Sequence, residues 1–314
     1  MENYVTLFDS LYLPQGLALH LSMQRHLQNY TLWILCVDDR VHESLTKLAL
    51  PNVRLLQLSQ LETADLKRVK PERSKSEYCW TLTPFTPFFV FQAAPEVMRV
   101  TYIDADLWFR NNPAPIFREL EIAGKDVLIT DHAYSPEYDQ SATSGRFCVQ
   151  FMTFTRVGGE TVRKWWEERC LEWCFDRFED GKFGDQKYLD DWPERFGEKV
   201  HVLANQELAL APWNATRFPY GQSVVWHFHG LKILQNSDHS YAVDFGSYPL
   251  PQVTKQHVYA QYVVDLQQAV RLIIGAGGTV AAQAKYSLKS RLRSLLSGIY
   301  QQTWRFGFKR TAKL

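Results

Sequence analysis

No stretch of this chain approaches eighteen uncharged apolar residues, so no membrane-spanning helix is expected. The opening residues, Met1 to Asp9, have neither a basic segment nor a long apolar run, which argues against a signal peptide. Cysteine is sparse and odd in number: Cys36, Cys79, Cys148, Cys170 and Cys174. Cys170 and Cys174 lie four apart with no second pair at zinc spacing, so a structural zinc site is not expected. An odd count also suggests a reducing compartment, and the cytoplasm is the expected location. Net charge is only +1, which gives no bulk electrostatic case for nucleic acid.

What is present reads as a globular α/β chain. The 314 residues suffice for one large domain or two, with ordinary hydrophobic content of 46%. Aromatic content of 14% with 10 Trp is high; such rings fill cores, and flat rings also pack on sugar faces. Tyr4–Phe8, Leu32–Val37 and Val53–Leu58 read as strands separated by helices around Leu17–Leu27 and Leu45–Leu50. This β-α-β-α-β order predicts a doubly wound, mostly parallel sheet, because parallel neighbours need crossover helices. Ligands in such sheets sit beyond the carboxyl ends of the strands. Asp9, Ser10 and Tyr12 follow the first strand there, although Asp9 taken alone reads better as a helix cap.

The run Val100 to Phe109 is the most informative stretch. It reads as a buried strand that runs into Asp104 and Asp106, two acids that are costly to bury uncompensated. Residues two apart in an extended segment share a side, so both carboxylates can aim at one point. Paired carboxylates are hard ligands for Mg²⁺ or Mn²⁺, which in turn hold phosphate oxygens. A second strand end, Val224 to Gly230, places His227 and His229 on one face, and a neutral imidazole can complete a metal site begun by two Asp. Gly230 lets backbone approach a phosphate, and Lys232 offers a point charge.

Other segments are plainer. Residues 59–76 are charged and loop-like and include Arg73; the helix expected near Glu77–Val90 is short or broken by Pro84 and Pro87. Phe147–Phe154 is a strand that holds Gln150, whose amide needs partners: a structural hydrogen bond or a sugar hydroxyl. Thr161–Phe175 is an amphipathic helix. Gly184 breaks the chain after it, and Asp185 can cap a following helix.

The pieces Asp9 to Tyr12, Tyr102-Ile-Asp-Ala-Asp106, Gly184-Asp-Gln186 and His227-Phe-His-Gly230-x-Lys232 together resemble the nucleotide-sugar glycosyltransferases of the GT-A fold, family 8 most of all. The resemblance spans roughly residues 1–235. It implies a catalytic domain over 1–250, a nucleotide-diphospho-sugar donor (UDP-linked in the family), and Mn²⁺ or Mg²⁺ on Asp104, Asp106 and His227. It implies donor contacts from Asp9, Ser10, Tyr12, Arg73, Asp104, Gln150, Gly230 and Lys232. It places Asp185 and Gln186 by the reacting carbon, where Asp185 either stabilises a cationic carbon or acts as a transient nucleophile. It implies retention at the anomeric centre and a saccharide or lipid-linked saccharide acceptor. This chain departs from the family pattern in having one residue, Leu231, where two usually separate the late Gly from the Lys. Trp80 also stands where the family's helix usually has Arg. The segment Arg73-Ser-Lys-Ser-Glu-Tyr-Cys-Trp80 resembles a bacterial subgroup and suggests surface polysaccharide synthesis. A sugar-phosphate nucleotidyltransferase, which shares the sheet, needs a glycine-rich loop after the first strand, and only Gly16 follows it here. A binding module without chemistry is disfavoured by the complete Asp104, Asp106 and His227 set.

The expected second part, 251–314, is a basic helical extension. No acidic residue occurs from Leu266 to Leu314, while Leu288, Leu292, Leu295, Leu296 and Ile299 recur at helical spacing before Trp304 and Phe306. Such a tail either lies on an anionic membrane, which would make the protein peripheral on the inner face, or packs its leucines on the domain.

Overall fold

The computed structural model describes residues 1–221, 223–235, 240–282, 284–285 and 304–306. Strands β1 (Glu2–Phe8), β2 (Tyr30–Cys36) and β3 (Val53–Gln57) alternate with helices α1 (Leu13–His26) and α2 (Asp39–Leu48), as their sequence pattern predicts. They join β4 (Arg99–Ile103), β6 (Val127–Asp131), β7 (Phe147–Thr155) and β8 (Val200–Val202) in a seven-stranded sheet of order β3-β2-β1-β4-β7-β6-β8. Pairing is parallel except where β7 meets β4 and β6. The chain winds outward from β1 through β2 to β3, then returns to β1's other side as β4. That reversal opens a crevice at the carboxyl ends of β1 and β4.

Alternation along β1 sends Tyr4 and Phe8 into one core and Val5 and Leu7 into another. The first core is completed by α1 and by helix Ala260–Gly275. The second is completed by helices Lys75–Leu82, Thr86–Ala93 and Glu160–Glu172. The helix expected near 77–90 is indeed broken, by a 3₁₀ turn at Thr83–Phe85 that contains Pro84. Gly16 has a packing reason: a Cβ there would lie 2.5 Å from the Phe8 ring, so only glycine lets α1 rest on the end of β1.

The strand end expected at the two carboxylates is there, but the extended segment expected through Asp106 is a turn. β4 ends at Ile103, the Leu107 amide donates to the Asp104 carbonyl at 3.1 Å across a tight turn, and β5 (Leu107–Phe109) enters a different sheet. That sheet pairs β5 with β10 (Val225–His227), which also pairs with β9 (Ala209–Leu210). Asp104 and Asp106 therefore sit on a corner between two sheets. The polar Asp-Ala-Asp favours the turn over a continued buried strand.

Past residue 250, Val258, Tyr259, Tyr262, Leu266, Val270 and Ile273 bury in the same core as β1 and α1. Beyond this helix, β13 (Ala284–Lys285) pairs with β11 (Lys232–Gln235), and β14 (Trp304–Phe306) pairs with β12 (Tyr241–Asp244). Trp304 and Phe306 thus lie in a strand. The leucine-spaced stretch 288–299 lies outside the described residues. No helix among the described residues is long and apolar enough to cross a membrane.

Helix Ala260–Gly275 is tied down by one buried acid. Asp265 accepts two hydrogen bonds from Arg25 of α1, at 2.9 and 2.5 Å, and one from the Trp108 indole of β5 at 2.7 Å. Asp265→Ala should cost about 2 kcal/mol, since it strands the indole N–H. The ion-pair share is discounted because the Arg25 side chain is 43% exposed and water can take over. A fall in the urea midpoint at constant m-value checks this; an unmoved midpoint would mean that apolar packing alone holds the helix.

Candidate active site

The crevice between β1 and β4 holds a cavity of about 600 Å³. Its floor is the corner. Asp104, Asp106 and His227 each offer a ligand atom there, all within 4.8 Å of one another. A larger cleft of about 1230 Å³ lies between α1 and helix Ala260–Gly275, but none of the three residues lines it.

Each member of the set is held from behind. The Asp104 amide donates to the Gln150 carbonyl at 3.1 Å, and the Tyr102 hydroxyl donates to Asp104 Oδ1 at 2.7 Å. The Phe228 amide donates to the Asp106 carbonyl at 2.9 Å, joining the corner to the end of β10. His227 Nδ1 meets Gln150 Oε1 at 3.1 Å, so with its proton on Nδ1 the ring turns Nε2 toward the carboxylates. Nε2 lies 3.1 Å from Asp106 and 3.6 Å from Asp104. Trp213 is buried behind them, with the His132, His227 and His229 rings all around its own at 5.0 to 5.4 Å.

The electrostatics are those of a cation site. Burial alone would depress the His227 imidazole, but the Asp106 and then the Asp104 carboxylates hold it well above its ordinary value. Burial raises Asp104, with partial relief from His227. Burial pushes Asp106 the same way, but His227 overrides it and brings Asp106 below the usual carboxylate range. The proton on His227 thus fills part of the role a metal would take. Two carboxylates and one imidazole suit Mn²⁺ or Mg²⁺, and none of the three is a soft ligand.

Around this set the cavity is lined by Asp9 and Tyr12 at the end of β1, and by Asp185 and Gln186. Asp9 does not cap α1; its Oδ1 accepts from the Leu11 amide at 2.9 Å, and Tyr12 occupies the cap position. Nor does Asp185 cap a helix. It is 3% exposed, its Oδ2 has no hydrogen-bond partner, and burial, then the Asp104 charge, push its carboxyl up to about 8. Gly184 at φ +52° makes the turn that delivers it, with Trp80 3.3 Å from where a Cβ would stand. The Gln186 amide donates to the Ser144 carbonyl at 2.6 Å.

Five expected donor contacts lie off the lining. Gln150 is fully buried; its Oε1 meets His227, while its Nε2 has no hydrogen-bond partner among the described residues. The Ser10 amide donates to Asp38. The Arg73 guanidinium lies 3.9 Å over the Phe175 ring, with its side chain only 1% exposed. Gly230, at φ +75°, turns the chain after β10, and Lys232 is exposed at the start of β11. In turn, sequence reasoning missed Lys75, Tyr134, Trp213 and Tyr248, which do line the cavity. Aromatic residues in otherwise polar loops were the available signal for Tyr134 and Tyr248.

Asp185 gives a pH test. Below about pH 4 it is protonated in both the folded and the unfolded chain, so its burial is free of ionisation cost. As pH rises toward 8 the unfolded chain ionises first, and stability falls. Asp185→Asn should match the parent near pH 4 and exceed it at pH 8 by on the order of 3 kcal/mol in metal-free protein. Urea unfolding at both pH values checks this; a variant less stable at pH 8 would reveal a favourable contact of the carboxylate instead.

No family model matches the chain. It is 31% identical over 258 residues to the uncharacterized protein YfnF of Bacillus subtilis (strain 168), covering 80% of this chain and 83% of that one. To YfnD of the same organism it is 28% identical over 270 residues, covering 79% and 83%. Among solved structures it is similar to the galactosyltransferase LgtC in complex with donor and acceptor sugar analogs, at TM-score 0.52 and 11% identity over 85% of this chain and 95% of that one. The apo-form glycosyltransferase GlyE of Streptococcus pneumoniae TIGR4 gives TM-score 0.51 at 15% identity, over 85% and 62%. The chain belongs to the family of YfnF and YfnD, and its fold is that of the GT-A nucleotide-sugar glycosyltransferases.

Proposed function

We propose that this protein is a metal-dependent glycosyltransferase that moves a sugar from a nucleotide-diphospho-sugar to a hydroxyl acceptor. One observation carries the reading: Asp104, Asp106 and His227 converge on a single point at the switch between β1 and β4, in a chain with the GT-A fold. A Mn²⁺ or Mg²⁺ ion on these three would neutralise charge on the departing nucleoside diphosphate. The chain's own residues do the remainder. Asp9 and Tyr12 at the end of β1 take the nucleoside. Gln150 fixes the tautomer and aim of His227. Asp185 and Gln186 close the opposite wall, where the donor sugar lies, and Asp185 meets the reacting carbon as stabiliser or transient nucleophile.

Tyr134, Trp213 and Tyr248 give the cavity an aromatic side away from the β1 end, suited to the face of an acceptor sugar. A UDP-linked donor, retention of configuration and a role in bacterial surface polysaccharide synthesis complete the reading, with a lipid-linked acceptor and an anionic membrane surface as its partners. They rest on the resemblance of motifs and on the basic C-terminal sequence.

Two measurements test the core of this. Asp104→Asn or Asp106→Asn should abolish Mn²⁺-dependent binding of nucleoside diphosphates in calorimetric titration while the circular dichroism spectrum is unchanged; full binding by both variants would sink the metal role. Asp185→Asn should lower donor hydrolysis about 100-fold or more with nucleoside diphosphate affinity within about threefold, the pattern of a group that acts at the reacting carbon. Unchanged turnover would remove Asp185 from the chemistry.

A further inference from the structure

The proposed donor cavity is short of positive charge. Asp9, Asp104, Asp106 and Asp176 line it beside the protonated Asp185, and apart from the His227 imidazole, whose place the metal would take, Lys75 is the one cationic side chain among the described Lys and Arg that does. A nucleoside diphosphate adds anionic oxygens to this surround, and a divalent ion shared among the carboxylates leaves part of that charge unmet.

Lys232 does not meet it. Leu231 and Ile233 are buried at 4% and 2% exposure, and Lys232 between them is exposed. Neighbours along a strand face opposite sides, so the burial of its two flanks fixes Lys232 on the solvent side of β11. The missing residue between Gly230 and Lys232 is a shift of one, and a shift of one exchanges faces.

Lys75 has the complementary placement. It opens helix Lys75–Leu82, whose start is fixed by a reciprocal cap: the Glu77 amide donates to Ser74 Oγ at 3.3 Å, and Glu77 Oε2 accepts from the Ser74 amide at 2.7 Å. Glu77 Oε1 also accepts from the Asp176 amide at 2.9 Å, which ties the helix to the loop that leads to Asp185. The backbone of Lys75 is thus anchored while its ammonium is held only by a long ion pair with Asp9. The side chain is 90% exposed, and Nζ lies 4.0 Å from Asp9 at the cavity mouth. A four-carbon arm from a fixed root can turn from Asp9 toward the corner.

We propose that Lys75, in place of Lys232, is the cation that contacts the phosphates of the donor. This rests on the glycosyltransferase reading. The test is titration of UDP, GDP, CDP and ADP with Mn²⁺ into the full chain and into Lys75→Ala, Lys75→Arg, Lys232→Ala and Asp104→Asn. The nucleoside of whichever diphosphate binds tightest is followed by ligand-observed NMR. Lys75→Ala should weaken that diphosphate about ten-fold, the worth of one charge-assisted contact, with Lys75→Arg recovering most of it. The nucleoside and Lys232→Ala should stay within about twofold of the parent. Equal loss for nucleoside and diphosphate would put Lys75 on the base and overturn the assignment. So would unchanged binding by Lys75→Ala, or a loss in Lys232→Ala. If Asp104→Asn abolishes binding while Lys75→Ala does not weaken it, the Lys75 assignment alone falls. If no diphosphate binds the parent chain, the transferase reading falls with it.

Discussion

Two carboxylates held within reach of each other on a half-buried corner repel, and the arrangement persists only with a positive group between them. Here that group is the His227 imidazole, 3.1 Å from Asp106. It comes from β10, in a sheet that meets the main one at this corner. The demand for a compensating charge thus joins two parts of the chain more than a hundred residues apart in sequence. The layers behind it are consistent with that demand: Tyr102, Gln150 and the backbone of Phe228 each satisfy one member of the set and leave its other atoms turned toward the cavity.

The two cores support the corner from opposite faces. Helix Ala260–Gly275 braces it from one side, where Asp265 takes the indole N–H of Trp108, two residues beyond Asp106. On the other side, helix Lys75–Leu82 supports the segment that carries Gly184 and Asp185. Trp80 rests on Phe183, and the Gly184 amide donates to the Phe175 carbonyl at 3.0 Å. The candidate site therefore sits at the meeting of two packed layers.

Much of this could be read from residue order. The alternation of β-rich runs with amphipathic stretches specified β1 to β3 closely, since local pattern and final pairing agree there. Asp104, Asp106 and His227 were legible because charged residues inside apolar runs demand an explanation. The corner was not, because a strand that turns into another sheet keeps the same apolar composition on both sides of the turn. Gln150 was legible as a residue in need of a partner, but only the antiparallel placement of β7 beside β4 showed that the partner was His227. Arg73 looked like a donor contact because it is the Arg nearest the helix position where the family usually has one and Trp80 stands here. Its place over Phe175 depends on a tertiary contact with a segment about a hundred residues away. Lys232 turned on the parity of a single strand position, which composition does not carry.

The carboxyl of Asp185 has a consequence for timing. Burial first, and the nearby Asp104 carboxylate second, hold its proton in place. A cation at the corner that cancels part of that charge would bring the Asp185 carboxyl down toward its ordinary range, with burial still holding it up. An idle molecule keeps this wall of the cavity neutral and chemically quiet. On the proposed reading, the ionisation of this wall then follows occupancy of the corner through a field rather than through a moving part.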